Sequence, residues 1–107
     1  MEKRNLSLSH EAMQRHASEA ERFLKELANA NRLMVLCHLV SGEKNVGDIA
    51  EAVGLSQSAL SQHLARLKDA GLITSERRGL MIYYRLCSAE AQAVLAVLQL
   101  IFCREHP

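Results

Sequence analysis

The sequence predicts a mainly helical domain with one small β-hairpin, in the order α-α-α-α-β-β-α: a winged helix-turn-helix. Three observations lead there. Two helical patterns meet at a tight Gly54-Leu55-Ser56 turn. The second of them, Gln57 to Ala70, sets Leu60, Leu64 and Leu67 on one stripe and uncharged polar residues on the other. A hairpin with a basic tip follows directly.

In chain order, residues 1–9 read as a polar, flexible arm and 10–107 as a single DNA-binding and dimerisation domain. His10 to Ala28 forms a helix with Met13, Ala17, Ala20, Phe23, Leu24 and Leu27 on one side and alternating charges opposite. Asn31 is the expected cap of a second helix reaching about Val40, so apolar that Cys37 belongs in or beside the core. Ser41 to Lys44 reads as a loop, and Val46 to Val53 as a short helix ended by Gly54. Ser56 caps the next helix, and Gly71 closes it. Leu72 to Arg77 and Met81 to Leu86 are strands joined through Arg78-Gly79-Leu80. Ser88 caps a last helix from Ala89 to about Arg104. That helix is apolar on more than one face, so Val94, Leu95, Leu98, Ile101 and Phe102 are expected to meet a second copy of the chain.

The 107 residues suffice for one domain. There is no Trp and few Phe or Tyr, so the core must be aliphatic. A net charge of +1 does not announce a nucleic-acid binder, but its distribution does. Residues 56–85 carry five basic against two acidic side chains, a local +3 that leaves the remainder at −2. Ser56, Gln57, Ser58, Ser61, Gln62 and His63 form a polar, nearly uncharged face suited to base edges and phosphates. Arg66, with Arg77 and Arg78 at the hairpin tip, would add backbone or minor-groove contacts. No apolar run approaches a membrane span and the first residues lack a secretory pattern, so a cytoplasmic protein is expected, without membrane partners. Thiols stay reduced there by default, so Cys37, Cys87 and Cys103 do not form a structural disulfide framework. No Cys-x-x-Cys, phosphate loop or carboxylate pair supports an enzyme.

Over about residues 10–104 the chain resembles the ArsR/SmtB family of small dimeric winged-helix repressors. The matching stretches are ANRLMVLCHL, VGDIAEAVGLSQSALSQHLARLKDAGLI and RRGLMIYYRL. The resemblance implies a homodimer that binds a double-stranded, inverted-repeat operator and leaves it when an inducer is sensed. Neither family metal site is present: Val46-Gly47-Asp48 stands where one Cys-x-Cys would be, and Gln92 to Arg104 holds no His or acid. No cofactor or metal is therefore expected. Cys37 and Cys103 instead match the persulfide-sensing branch of BigR-, SqrR- and HlyU-like regulators. That match implies a di- or polysulfide bridge formed by a small reactive sulfur inducer or an oxidant, with release from DNA. Cys87 matches no part of it. The alternatives are a metal- or metalloid-responsive repressor and a derepressor of virulence genes of the HlyU type.

Overall fold

The computed structural model describes residues 9–103. The expected N-terminal arm, apart from Ser9, and the expected helix end at Arg104 lie outside them. The elements are α1 (His10–Leu27), α2 (Ala30–Val40), β1 (Lys44–Asn45), α3 (Val46–Val53), α4 (Gln57–Asp69), β2 (Ile73–Arg78), β3 (Met81–Leu86) and α5 (Ala89–Phe102). Among the described residues, no helix is long and apolar enough to cross a membrane.

Local chemistry sets most boundaries. Ser9, Asn29, Asn45, Ser56 and Ser88 each accept a backbone N–H from three residues ahead, which removes one orphan donor per helix start. The cap of α2 is Asn29, not Asn31. Asn29 is extended at φ −158°, and its Oδ1 takes the Arg32 N–H at 3.0 Å, so the helix begins two residues early. Gly54 ends α3 at φ 73° and returns its N–H to the Ala50 carbonyl at 2.9 Å. A Cβ there would meet nothing within 4 Å, so the demand for glycine is conformational and not steric.

The sheet has a strand that the sequence reading lacked. Lys44, expected in a loop, forms with Asn45 a short strand that pairs antiparallel with Tyr84 and Tyr83, giving the order β1-β3-β2. Two residues carry no periodicity, and the pairing partner lies some forty positions downstream. The main hairpin runs from Ile73 opposite Leu86 to Arg78 opposite Met81. Arg78, expected in the turn, is therefore the last residue of β2, and the loop is Gly79-Leu80 alone.

α2 is the hub, packing against α1, α3, α4, α5 and β3. Val35, Leu36 and Leu39 meet Leu60, Leu64 and Leu67 of α4, Ile49 of α3, Ile73 of β2 and Leu95 of α5 in one core. Each such side chain contributes roughly 1.5–3 kcal/mol by leaving water. Leu95, expected at a dimer interface, is instead fully buried in the chain's own core. α5 turns Ala91 and Leu95 inward and leaves Val97, Leu100, Ile101 and Phe102 largely exposed. α1 likewise buries Leu27 and leaves Met13 and Leu24 open.

One buried charge stands out. Arg32, placed within an apolar run, is 6% exposed. Its Nε donates to the Glu26 carbonyl at 2.7 Å and its Nη2 to the Lys25 carbonyl at 2.8 Å, so it caps the C-terminal end of α1. Arg32→Met keeps the apolar stem and removes those donors. It is expected to lower unfolding stability by about 1–3 kcal/mol, read as a lower urea midpoint. An unchanged midpoint would mean that the capping contributes nothing.

Candidate nucleic-acid interface and thiol pair

The helix-turn-helix is α3, the Gly54-Leu55-Ser56 turn and α4. Burial of Leu60, Leu64 and Leu67 fixes the rotation of α4 and turns Gln57, Ser58, Ser61 and Gln62 to solvent. His63 is half-buried at the edge of this face. The Ser56 hydroxyl is engaged twice, accepting the Ala59 N–H at 3.2 Å and meeting the Ser58 hydroxyl at 3.3 Å. Its first task is to start the helix. The amides of the helix N-terminus and the short polar side chains then share one surface, an arrangement that can meet phosphate and base edges together.

The three arginines of the expected interface are placed differently. Arg77 is exposed near the end of β2. Arg78 is held by protein: Nη1 and Nη2 donate to the Glu43 carboxylate at 2.6 and 3.0 Å, Nη2 also donates to Glu76 at 2.9 Å, and the guanidinium lies 4.6 Å from the centre of the Tyr83 ring. The hydrogen bonds to Glu43 and then Glu76 raise the Arg78 pKa further, and Arg78 in turn lowers that of Glu76. A phosphate must displace carboxylates to reach this side chain. Arg66 sits in the third turn of α4 and donates Nε–H to the Glu26 carboxylate at 2.7 Å. Lys68 donates to the Ser75 hydroxyl at 2.8 Å, which joins α4 to β2. Glu26, Arg32, Glu43 and Tyr83 were not singled out from sequence, because each matters through a partner far along the chain.

The thiols divide by environment. Cys37, on α2, is half-buried against the core. Cys103 caps the C-terminal end of α5, exposed, with its N–H on the Gln99 carbonyl at 2.9 Å. Burial pushes the Cys37 thiol above its usual range, and the charge of a Cys103 thiolate pushes it further. Cys103 ends α5, and α5 packs against α2, the helix that carries Cys37. Cys87 is exposed just before α5, with its S–H 3.6 Å from the Gly71 carbonyl, away from that pair. Among the described residues, no three His, Cys, Asp or Glu side chains gather as a metal would require. His106 lies outside them.

Val94, Leu98, Ile101 and Phe102, the remainder of the expected dimer face, range from half-buried to exposed along α5.

Comparison with known proteins agrees with this geometry. The profile of bacterial regulatory proteins of the arsR family matches residues 29–75, from the cap of α2 into β2. The transcriptional activator HlyU of Vibrio cholerae is 37% identical over 94 residues, covering 88% of this chain and 87% of that protein. The biofilm growth-associated repressor of Xylella fastidiosa is 37% identical over 99 residues, covering 92% and 87%. Among solved structures, the Xylella fastidiosa repressor BigR superposes with a TM-score of 0.85 at 37% identity, over 92% of this chain and all of that one. Reduced HlyU from Vibrio cholerae superposes at 0.83 with 38% identity, over 87% and 98%. On fold, helix-turn-helix and relatives alike, this chain belongs to the ArsR family of bacterial regulatory proteins: it is a winged-helix, DNA-binding transcriptional regulator and not an enzyme.

Proposed function

We propose that the protein is a homodimeric repressor that releases its operator when a reactive sulfur species links Cys37 to Cys103. The observation that carries this reading is an exposed thiol at the C-terminal end of α5 together with a half-buried one on α2, the helix against which α5 packs. A relative solved in a reduced state, HlyU, and the relative BigR, a repressor by name, support a redox-linked repressor over other members of the family.

The chemistry follows from exposure. The Cys103 thiolate attacks the outer sulfur of glutathione persulfide, leaving a Cys103 persulfide and expelling glutathione thiolate. The Cys37 thiolate then attacks the Cys103 sulfur and expels hydrosulfide, giving a disulfide; further sulfur transfer before closure would give a longer bridge. Because its pKa is raised, Cys37 is the slower partner near neutrality. The closing step should therefore keep accelerating as pH rises through the ordinary thiol range. A bridge ties α5 to the hub helix that supports α4. Only a difference in DNA affinity between the two states moves occupancy, and about 1–3 kcal/mol is a usual coupling.

For DNA, Ser56, Gln57, Ser58, Ser61, Gln62 and His63 would enter the major groove of each half-site, with Arg77 and Arg78 on the backbone or in the minor groove. In a dimer the half-sites lie about one helical turn apart, roughly 34–36 Å. The second copy would cover the open apolar residues of α1 and α5, which are too large to leave in water at no cost.

Three experiments bear on this reading. Gln62→Ala should cost about 1–3 kcal/mol in operator affinity and relax base preference; unchanged affinity and preference would mean that the reading face lies elsewhere. Ile101→Glu should yield monomers in sedimentation, because the charge cannot be buried unpaired, and a dimer would move the interface off α5. In fluorescence anisotropy with glutathione persulfide, Cys37→Ser and Cys103→Ser should stay on the operator while wild type and Cys87→Ser dissociate. Release of Cys37→Ser to the wild-type extent would sink the bridge, and release by zinc in thiol-reducing buffer would favour a metal-responsive repressor.

A further inference from the structure

The carboxylate of Glu26, in the last turn of α1, lies between two guanidinium groups from different helices. On one side is Arg32 of α2, buried and fixed by its bonds to the Lys25 and Glu26 carbonyls, with Nε 4.0 Å from Oε1 of Glu26. On the other is Arg66 of α4, which donates Nε–H to Oε1 at 2.7 Å and Nη2–H to Oε2 at 3.4 Å. An open cleft of about 700 Å³, lined by Glu19, Phe23 and Asp69 among others, separates α1 from the C-terminal half of α4. Glu26 and Arg66 both line it.

Most surface ion pairs contribute little, because both side chains are ordered in competition with water. Glu26 differs in two respects. Its side chain is 18% exposed, so it has already lost most of its hydration. Its surroundings are also fixed by Arg32, so the ordering cost falls mainly on Arg66. Two-pronged guanidinium–carboxylate contacts are also directional, constraining angle as well as distance.

We propose that Glu26 is a positioning residue for DNA binding that acts through Arg66: the pair ties α4 to α1 and sets the tilt of α4, so Arg66 serves as a tether and not as a phosphate contact. This rests on the reading of α4 as the recognition helix. α1 has an open apolar side, and in a dimer a tie to α1 fixes each α4 relative to its twin. Two helices that must enter successive major grooves lose affinity when either tilt loosens, although no phosphate contact is lost.

The test is operator affinity as a function of potassium chloride for wild type, Glu26→Gln, Arg66→Gln, the double variant and Gln62→Ala. Each tether variant should bind about tenfold more weakly. The double variant should lose no more than the weaker-binding single variant, because both substitutions remove one link. The slope of log affinity against log salt should remain that of wild type in all three. If Arg66 neutralises a phosphate instead, Arg66→Gln flattens the slope by about 0.9 and Glu26→Gln, by freeing the arginine, tightens binding. Either result overturns the proposal, as do additive losses in the double variant. Should Glu26→Gln fail to fold, Arg66→Gln decides alone through its slope, since it leaves Glu26 beside Arg32. Unchanged binding of Gln62→Ala would overturn the reading of α4 itself, and the proposal with it, without any change of slope at Arg66.

Discussion

The placement of α4 and of Cys37 depends on the burial of α2. Val35, Leu36 and Leu39 are almost wholly removed from water, and five other elements close around that helix. The aliphatic contact between α2 and α4 decides how α4 is rotated: with Leu60, Leu64 and Leu67 turned in, helical geometry leaves Gln57, Ser58, Ser61 and Gln62 no place but the surface. The polar outer face of α4 is thus a consequence of core packing. The same helix carries Cys37, so that thiol and the polar face of α4 share one support.

The charged side chains have a second organisation laid over the first. Arg32, Arg66 and Arg78 are each held by carboxylates or carbonyls of another element: the end of α1 for Arg32 and Arg66, and the α2–β1 loop for Arg78, which also has Glu76 of its own strand. These links run between α4 and the end of α1, and between the hairpin and the residue that precedes its paired strand β1. Such pairs also mean that a basic count overstates what is available to DNA. Of the three arginines near the reading face, Arg77 is the one for which no carboxylate partner is seen among the described residues.

The open apolar faces and the thiols belong to the same physical problem. A chain of this size has too few buried positions for the apolar side chains it carries, so Met13, Leu24, Leu100, Ile101 and Phe102 stand in solvent. Cys103 closes the helix that bears three of them, and Cys37 is on α2, against which that helix packs. A covalent link between the two would join the most exposed apolar helix to the most buried one.

What the sequence determined by itself was whatever short-range chemistry fixes: the caps at Ser56 and Ser88, the break at Gly54, the stripe Leu60-Leu64-Leu67, the hairpin after Leu72, and hence the winged helix-turn-helix with the polar face of α4 turned outward. Each of these is decided within a few residues, by a hydroxyl accepting an N–H, a positive φ, or a helical repeat. The two cysteines stood out as well, but only through their likeness to a family, because spacing alone says nothing of distance in space. Tertiary structure decided the rest. It turned Leu95 into the chain's own core, since a helix apolar all round does not declare which side faces in. It buried Arg32 at the end of α1, recruited two residues at 44–45 as a strand, and gave Arg66 and Arg78 to carboxylates 40 and 35 positions away. A charge chooses its partner by proximity after folding, and no local pattern in the chain encodes that choice.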